Sequence, residues 1–370
     1  MIPSERSHLF ASAITHPGMT GKDNEDRYSI TAYRLEDEDH TPVVFAIIAD
    51  GVGGHRAGEI AAEIAVNMIS HAIATSDGSE PLETLEYAII QAGEAIFSQS
   101  SKDEDQRGMG STCVCVWVIG DRLYTASVGD SRIYLLRDNA IRQITVDHTW
   151  VQEALDHGII QPEQARNHPR SHIIRRYLGS KSTVVPDLRL KLNPEETDEQ
   201  AQANQGFQLA PGDQLLMCTD GLTDLVEDHE ILTAFQDQEL SDGLATLVEL
   251  ANQRGGHDNI TILSLKVPTP NEVIHTVIPD EVRTTPAVLP WMTCVIIGII
   301  AVLIIAISAT AIWFFNRSTD TPTPTLMQET TIPATFTLTP EELQPTETPI
   351  PSETPIQVTL TSWPTDTPDS

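Results

Sequence analysis

The chain is short of positive charge. Its 370 residues include 22 Lys and Arg against 53 Asp and Glu, a formal net charge of −31. A protein that follows a phosphate backbone needs basic patches, so this balance argues against a nucleic-acid partner. Cysteine is scarce too, with only Cys113, Cys115, Cys218 and Cys294. Their spacing makes neither a disulfide framework nor a CxxC zinc site. Cys113 and Cys115 stand two apart in a strand-like run and read as ordinary buried side chains of a reducing compartment. The opening "MIPSERSHLF" lacks a basic stretch followed by an apolar one, so no signal peptide is expected.

Long apolar runs are absent until residues 291–315, "WMTCVIIGIIAVLIIAISATAIWFF", which carry no charge. At about 1.5 Å per residue such a helix is long enough to cross a hydrocarbon core of about 30 Å. Trp291, Trp313, Phe314 and Phe315 mark its edges as interfacial aromatics do. The sequence therefore predicts one transmembrane helix over 291–315, after a Pro/Thr-rich linker at 268–290. Residues 316–370 are rich in Thr, Pro and Glu and nearly free of basic residues, which predicts a disordered, stalk-like tail. Few Lys or Arg flank the span, so orientation has to come from chemistry rather than from the positive-inside rule.

Residues 7–267 have the patterning of a folded domain. Val43 to Ala49 reads as a buried strand. Glu59 to Ala74 has a helical period with Ile60, Ile64 and Met68 on one face, and Leu82 to Phe97 is a second helix. Ser111 to Ile144 reads as a β-meander broken at Gly120–Asp121, Gly129–Asp130 and Asp138–Asn139. A strand at Gln214 to Thr219, a helix near Asp242 to Asn252 and a strand at Asn259 to Val267 follow. Grouped antiparallel strands with paired helices predict an α+β fold of two sheets covered by helices, not a parallel βαβ sheet.

Carboxylates recur where these strands end. Asp50 closes the apolar run "VVFAIIAD", where a buried charge is costly unless something cationic pairs with it. Asp26 and Glu25 in "NEDR", Asp130 in "SVGDS", Asp220 and Asp224 in "CTDGLTD", and Asp258 in "GGHDNIT" hold similar places. Taken singly, each is an ordinary turn former or cap. Gathered together they repel one another unless hard cations lie between them. Oxygen ligands without a His or Cys cluster point to magnesium or manganese, and two such ions activate water against a phosphoryl group.

In order along the chain, "NEDR", "ADGVGGH", "GSTCVCVWVIGDRLYTASVGDSRIYLLR", "ITVDHTWV", "CTDGLTDLV" and "GGHDNITILSL" resemble the metal-dependent protein phosphatases of the 2C type, the PPM family, and its bacterial members most of all. The resemblance spans residues 7–267. It implies a four-layer α-β-β-α sandwich of two antiparallel sheets and hydrolysis of phosphoserine and phosphothreonine. It also implies that Asp50 bridges two manganese or magnesium ions, with the Gly51 carbonyl, Asp220 and Asp258 completing their ligation. Glu25 and Asp26 match residues that hold metal-bound waters, and Asp130 and Asp224 match the ligands of a third, weaker ion. His148 to Gly179 resembles the mobile flap, whose Arg170, Arg175 and Arg176 read either as contacts to acidic or phosphorylated substrates or as solvated charge.

Two departures from the family pattern bear on mechanism. The place often held by a general-acid His is Val52 here, with His55 beyond the glycine pair as either a proton donor or a structural residue. The Arg that usually binds the substrate phosphate is replaced by Gly21, with Lys22 beside it; were "GKDNED" extended, Lys22 would point away from position 21. Two functions therefore stand: a membrane-anchored phosphatase opposing a Ser/Thr kinase, and a phosphoprotein-binding pseudo-phosphatase or sensor. Hydrolysis of small phosphoesters is a third. For the first, phosphoproteins, magnesium and reduced thiols place the domain in the cytoplasm and the tail outside.

Overall fold

The structure, a computed structural model, describes residues 1–53, 57–166, 168–236, 238–270 and 272. The chain opens with β1 (Ile2–Pro3), β2 (Phe10–His16), β3 (Arg27–Arg34), β4 (Pro42–Ala49) and β5 (Gly51–Val52), then two long helices, α1 (Ala57–Thr75) and α2 (Pro81–Lys102). Next come β6 (Gly110–Ser111), β7 (Cys113–Ile119), β8 (Arg122–Val128), β9 (Arg132–Arg137) and β10 (Ala140–Gln143). The rest comprises α3 (Trp150–Asp156), α4 (Pro162–Ala165), α5 (Asp198–Ala203), β11 (Phe207–Gln208), β12 (Gln214–Cys218), α6 (Asp220–Thr223), α7 (Asp228–Ala234), α8 (Leu240–Gln253) and β13 (Ile260–Lys266).

One antiparallel sheet runs β1-β3-β4-β7-β8-β11 and the other β10-β9-β12-β13-β2. β4 shows why its sequence is apolar without alternation. Val43, Phe45, Ile47 and Ala49 pack on α1 and α2, whereas Val44, Ala46 and Ile48 pack on the opposing sheet. A strand covered on both faces has no polar face, and all seven residues are fully buried. A third core lies beyond the second sheet, where Leu216, Cys218 and Ile262 meet Ile231, Leu244, Leu247 and Ala251 of α7 and α8. The layers are thus helices, sheet, sheet, helices. Cys113 and Cys115 are free and buried, as their place in a strand-like run implied, and Cys218 is free and buried too.

Several sequence expectations change. The run from Ser111 to Ile144 is not one meander: β7 and β8 belong to the first sheet, β9 and β10 to the second. The chain changes sheets at Gly129, whose φ of 104° and close approach to Thr112 exclude a side chain. On α1 the buried stripe is Ala61, Ala65, Ile69 and Ile73. Ile60 and Ile64 lie at its edge, and Met68 is 37% exposed. Small alanines let α1 sit close to the sheet, so hydrophobicity alone misplaced the face. Gly21 takes φ 74°, so the "GKDNED" segment is not a continuous extended strand. No helix among the described residues is long and apolar enough to cross a membrane; the expected span at 291–315 and the tail lie outside those residues.

Candidate metal centre

Strand register brings the acids together. Arg27 pairs with Ala49, so one more step of the β3–β4 ladder sets Asp26 beside Asp50. Arg132 pairs with Cys218, and two further steps in the β9–β12 direction place Asp130 near Asp220. Asp258 lies two residues before the start of β13, and Glu25 adjoins Asp26, at the same edge of the two sheets. Four other acids act on Asp50, namely Asp26, Asp220, Asp130 and Asp258.

Polar neighbours fix this edge. Thr112 donates its backbone N–H to the Asp50 carbonyl (2.8 Å), and its hydroxyl accepts the Asp50 N–H (3.1 Å). The Thr219 hydroxyl donates to Asp26 Oδ2 at 3.0 Å. Asn259 accepts the Glu25 N–H at 2.7 Å and donates to the carbonyls of Pro17 and Asp23. It thereby ties the loop carrying Glu25 and Asp26 to Asp258. Gly51 is buried and pairs with Ser111. Thr112, Thr219 and Asn259 escaped the sequence reading, although Thr219 and Asn259 directly adjoin acids it named; a neutral side chain beside an acid carries no signal until its partner is known.

The electrostatics are those of a site built for positive charge. Burial, then repulsion from Asp26, Asp220, Asp130 and Asp258, pushes the Asp50 carboxyl well above its ordinary value. Burial followed by Asp220 and Asp258 raises Asp26 to about 7, against hydrogen bonds from Thr261 and Thr219. Burial with Asp224 and Asp258 raises Asp220 to about 7. Asp130 is likewise pushed well up by burial and by Asp220, and Glu25 is raised by burial and Asp258. Asp50 and Asp220 therefore face each other, and Asp220 raises the cost of ionising Asp50. One oxygen each of Asp26, Asp130 and Asp220 is buried with no partner. Such orphan acceptors are expensive unless a cation or proton meets them. Among the described residues no three acidic, His or Cys side chains form a ready-made coordination shell. The donor set nevertheless fits hard divalent ions: oxygen only, several charges, and orphaned lone pairs at one edge.

A cleft of about 750 Å³ opens here, lined by Asp130, Asp220, Asp224 and Asp258 together with Arg132 and Arg166. Arg132 is held by Asp147 through three hydrogen bonds of 2.6–3.1 Å. The flap closes one side. Its His172 lies 3.1 Å from Asp224, and Arg166 donates to the Thr223 carbonyl at 3.4 Å. Trp150 stacks on the His168 ring (4.7 Å) and also meets the Arg170 guanidinium (4.8 Å), contacts that tie the flap together. Arg175 and Arg176 are not brought to the acids. They line a neighbouring cleft of about 600 Å³, where Arg175 pairs with Glu153 at 3.0 Å. Lys22 is exposed and acts on Glu25 from a distance. His55 lies outside the described residues.

Comparison with known proteins gives the family. Residues 19–243 match the family model of protein phosphatase 2C. The serine/threonine protein phosphatase PstP of Mycobacterium tuberculosis is 37% identical over 228 residues, 62% of this chain but only 41% of PstP's own length. The serine/threonine phosphatase stp of Listeria monocytogenes is 36% identical over 260 residues, covering 69% of this chain and 94% of that protein. A solved serine/threonine phosphatase of S. agalactiae superposes with a TM-score of 0.60 at 32% identity over 70% of this chain and 99% of its own. The catalytic domain of PstP, solved with two manganese ions, gives a TM-score of 0.57 at 33% identity over 70% and 99% of the two chains. The chain belongs to the protein phosphatase 2C family, the metal-dependent PPM phosphatases.

Proposed function

We propose that the protein hydrolyses phosphoserine and phosphothreonine in other proteins, opposing a serine/threonine kinase. We further propose that residues 291–315 anchor it in a membrane with the phosphatase domain in the cytoplasm and the tail outside. The observation that carries the activity is the set of buried, mutually repelling acids with orphaned oxygens at one edge of the two sheets. Asp50, the Gly51 carbonyl, Asp220 and Asp258 would hold two manganese or magnesium ions, Glu25 and Asp26 the waters around them, and Asp130 with Asp224 a third, weaker ion. When bound, such ions acidify an attacking water and neutralise the phosphoryl oxygens.

The chain's own residues then aim and screen. Thr219 and Asn259 hold the acids in place from behind. Arg166, on the flap side of the cleft, offers positive charge to a phosphoryl group entering it. Lys22, Arg175 and Arg176 meet the acidic flanks of a protein substrate, and His55 serves the leaving alcohol. The test is phosphate release from a phosphothreonine peptide by the full-length chain. Manganese or magnesium supports release, whereas chelator, calcium or Asp220→Ala abolishes it. Calcium's longer bonds and looser shell misplace the water. Equal release in chelator sinks the metal reading. Gly21 in place of the usual phosphate-binding Arg favours one other reading, a binder without turnover. Manganese-saturated protein that binds the peptide but releases no more phosphate than Asp220→Ala selects it.

A further inference from the structure

We propose that His148 is a positioning residue that locks the turn carrying Asp130 to both limbs of the flap, in a single tautomer set by Asp187. The ring is 7% exposed and makes a bond at each nitrogen. Nδ1 accepts the Gly129 N–H at 3.0 Å, so the ring proton sits on Nε2 and is donated to Asp187 Oδ2 at 3.1 Å. The backbone grips the same turn, because the His148 N–H donates to the Gly129 carbonyl at 2.9 Å. On the other side, the His148 carbonyl accepts the Arg175 N–H at 2.7 Å, across the flap.

Both ends of this clamp are anchored. Asp187 exchanges backbone hydrogen bonds with Ser127 (3.0 and 2.8 Å), and its carboxylate is held by Arg189 Nε at 2.9 Å. Gly129 packs on Thr112, the residue that holds the Asp50 backbone. His148 therefore makes no hydrogen bond to an acid of the metal set, yet its ring holds the residue next to Asp130 while its main-chain carbonyl holds the flap at Arg175, so a shift of the residue as a whole disturbs both. An imidazole suits this task because its two nitrogens bond in opposite senses along one rigid ring. Outer groups of this kind typically change metal affinity or activity by about 10–100-fold when removed.

The test uses the full-length chain and two substitutions that separate the two ring nitrogens. His148→Asn places an amide oxygen where Nδ1 was, keeping the acceptor for Gly129 while losing Asp187. His148→Gln reaches Asp187 with an N–H but leaves Gly129 without an acceptor. Two readouts are taken, with melting temperature confirming that both variants fold: tryptic cleavage at the flap arginines in chelator, and manganese affinity by calorimetry. We expect Asn to stay within about twofold of wild type on both. For Gln we expect about tenfold faster flap cleavage and about tenfold weaker binding of the weakest manganese ion. The inference rests on reading Asp130 as a metal ligand only in its calorimetric arm. A loosened flap with unchanged manganese affinity in Gln leaves the positioning role standing and removes Asp130 from the metal set. Gln behaving as wild type, or the two variants changing equally, overturns the proposal, because the ring would then be filler.

Discussion

At the scale of single residues, the proposed metal role of the acids at the sheet edge comes at the expense of metal-free stability. Asp50→Asn or Asp258→Ala is expected to lower turnover by about two to three orders of magnitude or more, the scale of losing a charge-stabilising group at a reacting phosphoryl. In chelator neither should melt lower than wild type, since each removes like-charge repulsion. A clear drop in melting temperature would assign them to the fold. A pH dependence follows from Asp26 and Asp220, raised by burial and neighbouring acids to about 7. Between the ordinary carboxyl value of about 4 and about 7, the folded chain binds more protons than the unfolded one. Metal-free protein should therefore be most stable below about pH 4 with respect to these groups and lose that contribution as the pH rises through about 7. Melting in chelator at successive pH values checks this, and manganese should flatten the decline. Gly21 is exposed at φ 74° with open space around its Cβ position. Gly21→Arg should lower KM for a phosphopeptide with a smaller change in turnover, the mark of added uniform binding. It should also cost about 1–2 kcal/mol of stability, because a left-handed conformation disfavours any side chain. Lys22→Ala should change little; loss of binding there would mean that Lys22 already holds the phosphate.

At the scale of elements, α1 shows how a helix can be found and its face mistaken. Periodicity located it to within a residue or two at each end, because its apolar positions recur at 3.6-residue spacing. The largest side chains, however, do not mark its inner face. Ile69 is fully buried, whereas neighbouring Met68 is 37% exposed. Ile69→Ala should cost about 2–5 kcal/mol in denaturant unfolding, and Met68→Ala less than about 0.5 kcal/mol. Similar costs would restore Met68 to the core. The strands were legible where both faces are covered, as in β4, β7, β12 and β13. Less apolar β2 and β3 were missed: β2 gives neither a run nor a clean alternation, and in β3 the alternation of Tyr28, Ile30 and Ala32 with polar residues is short and lies between arginines.

At the scale of the whole molecule, a net charge of −31 makes the chain repel acidic partners at long range, and salt should weaken that repulsion. A phosphopeptide with acidic flanks should therefore show a KM that falls as ionic strength rises, unless the arginine-lined cleft beside the flap captures it directly. The proposed topology has its own test. Protease added to intact cells should trim residues 316–370 and spare residues 7–267. Digestion of the folded domain instead would reverse the orientation, and resistance of both would remove the tail from the outer face.

The acids proposed to hold metal were named from sequence because several of them recur at strand ends and turns, although each alone would pass as a turn former or cap. Their class of chemistry followed from donor type alone, and the order of motifs carried the family. Tertiary structure decided what surrounds them. Pairing of β3 with β4 and of β9 with β12 set which acids face each other, a matter of register that no local pattern encodes. The grip of Asn259 on residues 17–25, and that of His148 on Gly129, Arg175 and Asp187, join segments far apart in the chain. Arg175 and Arg176 went to a neighbouring cleft for the same reason: sequence gives a side chain its charge, but only the packed fold gives it a direction.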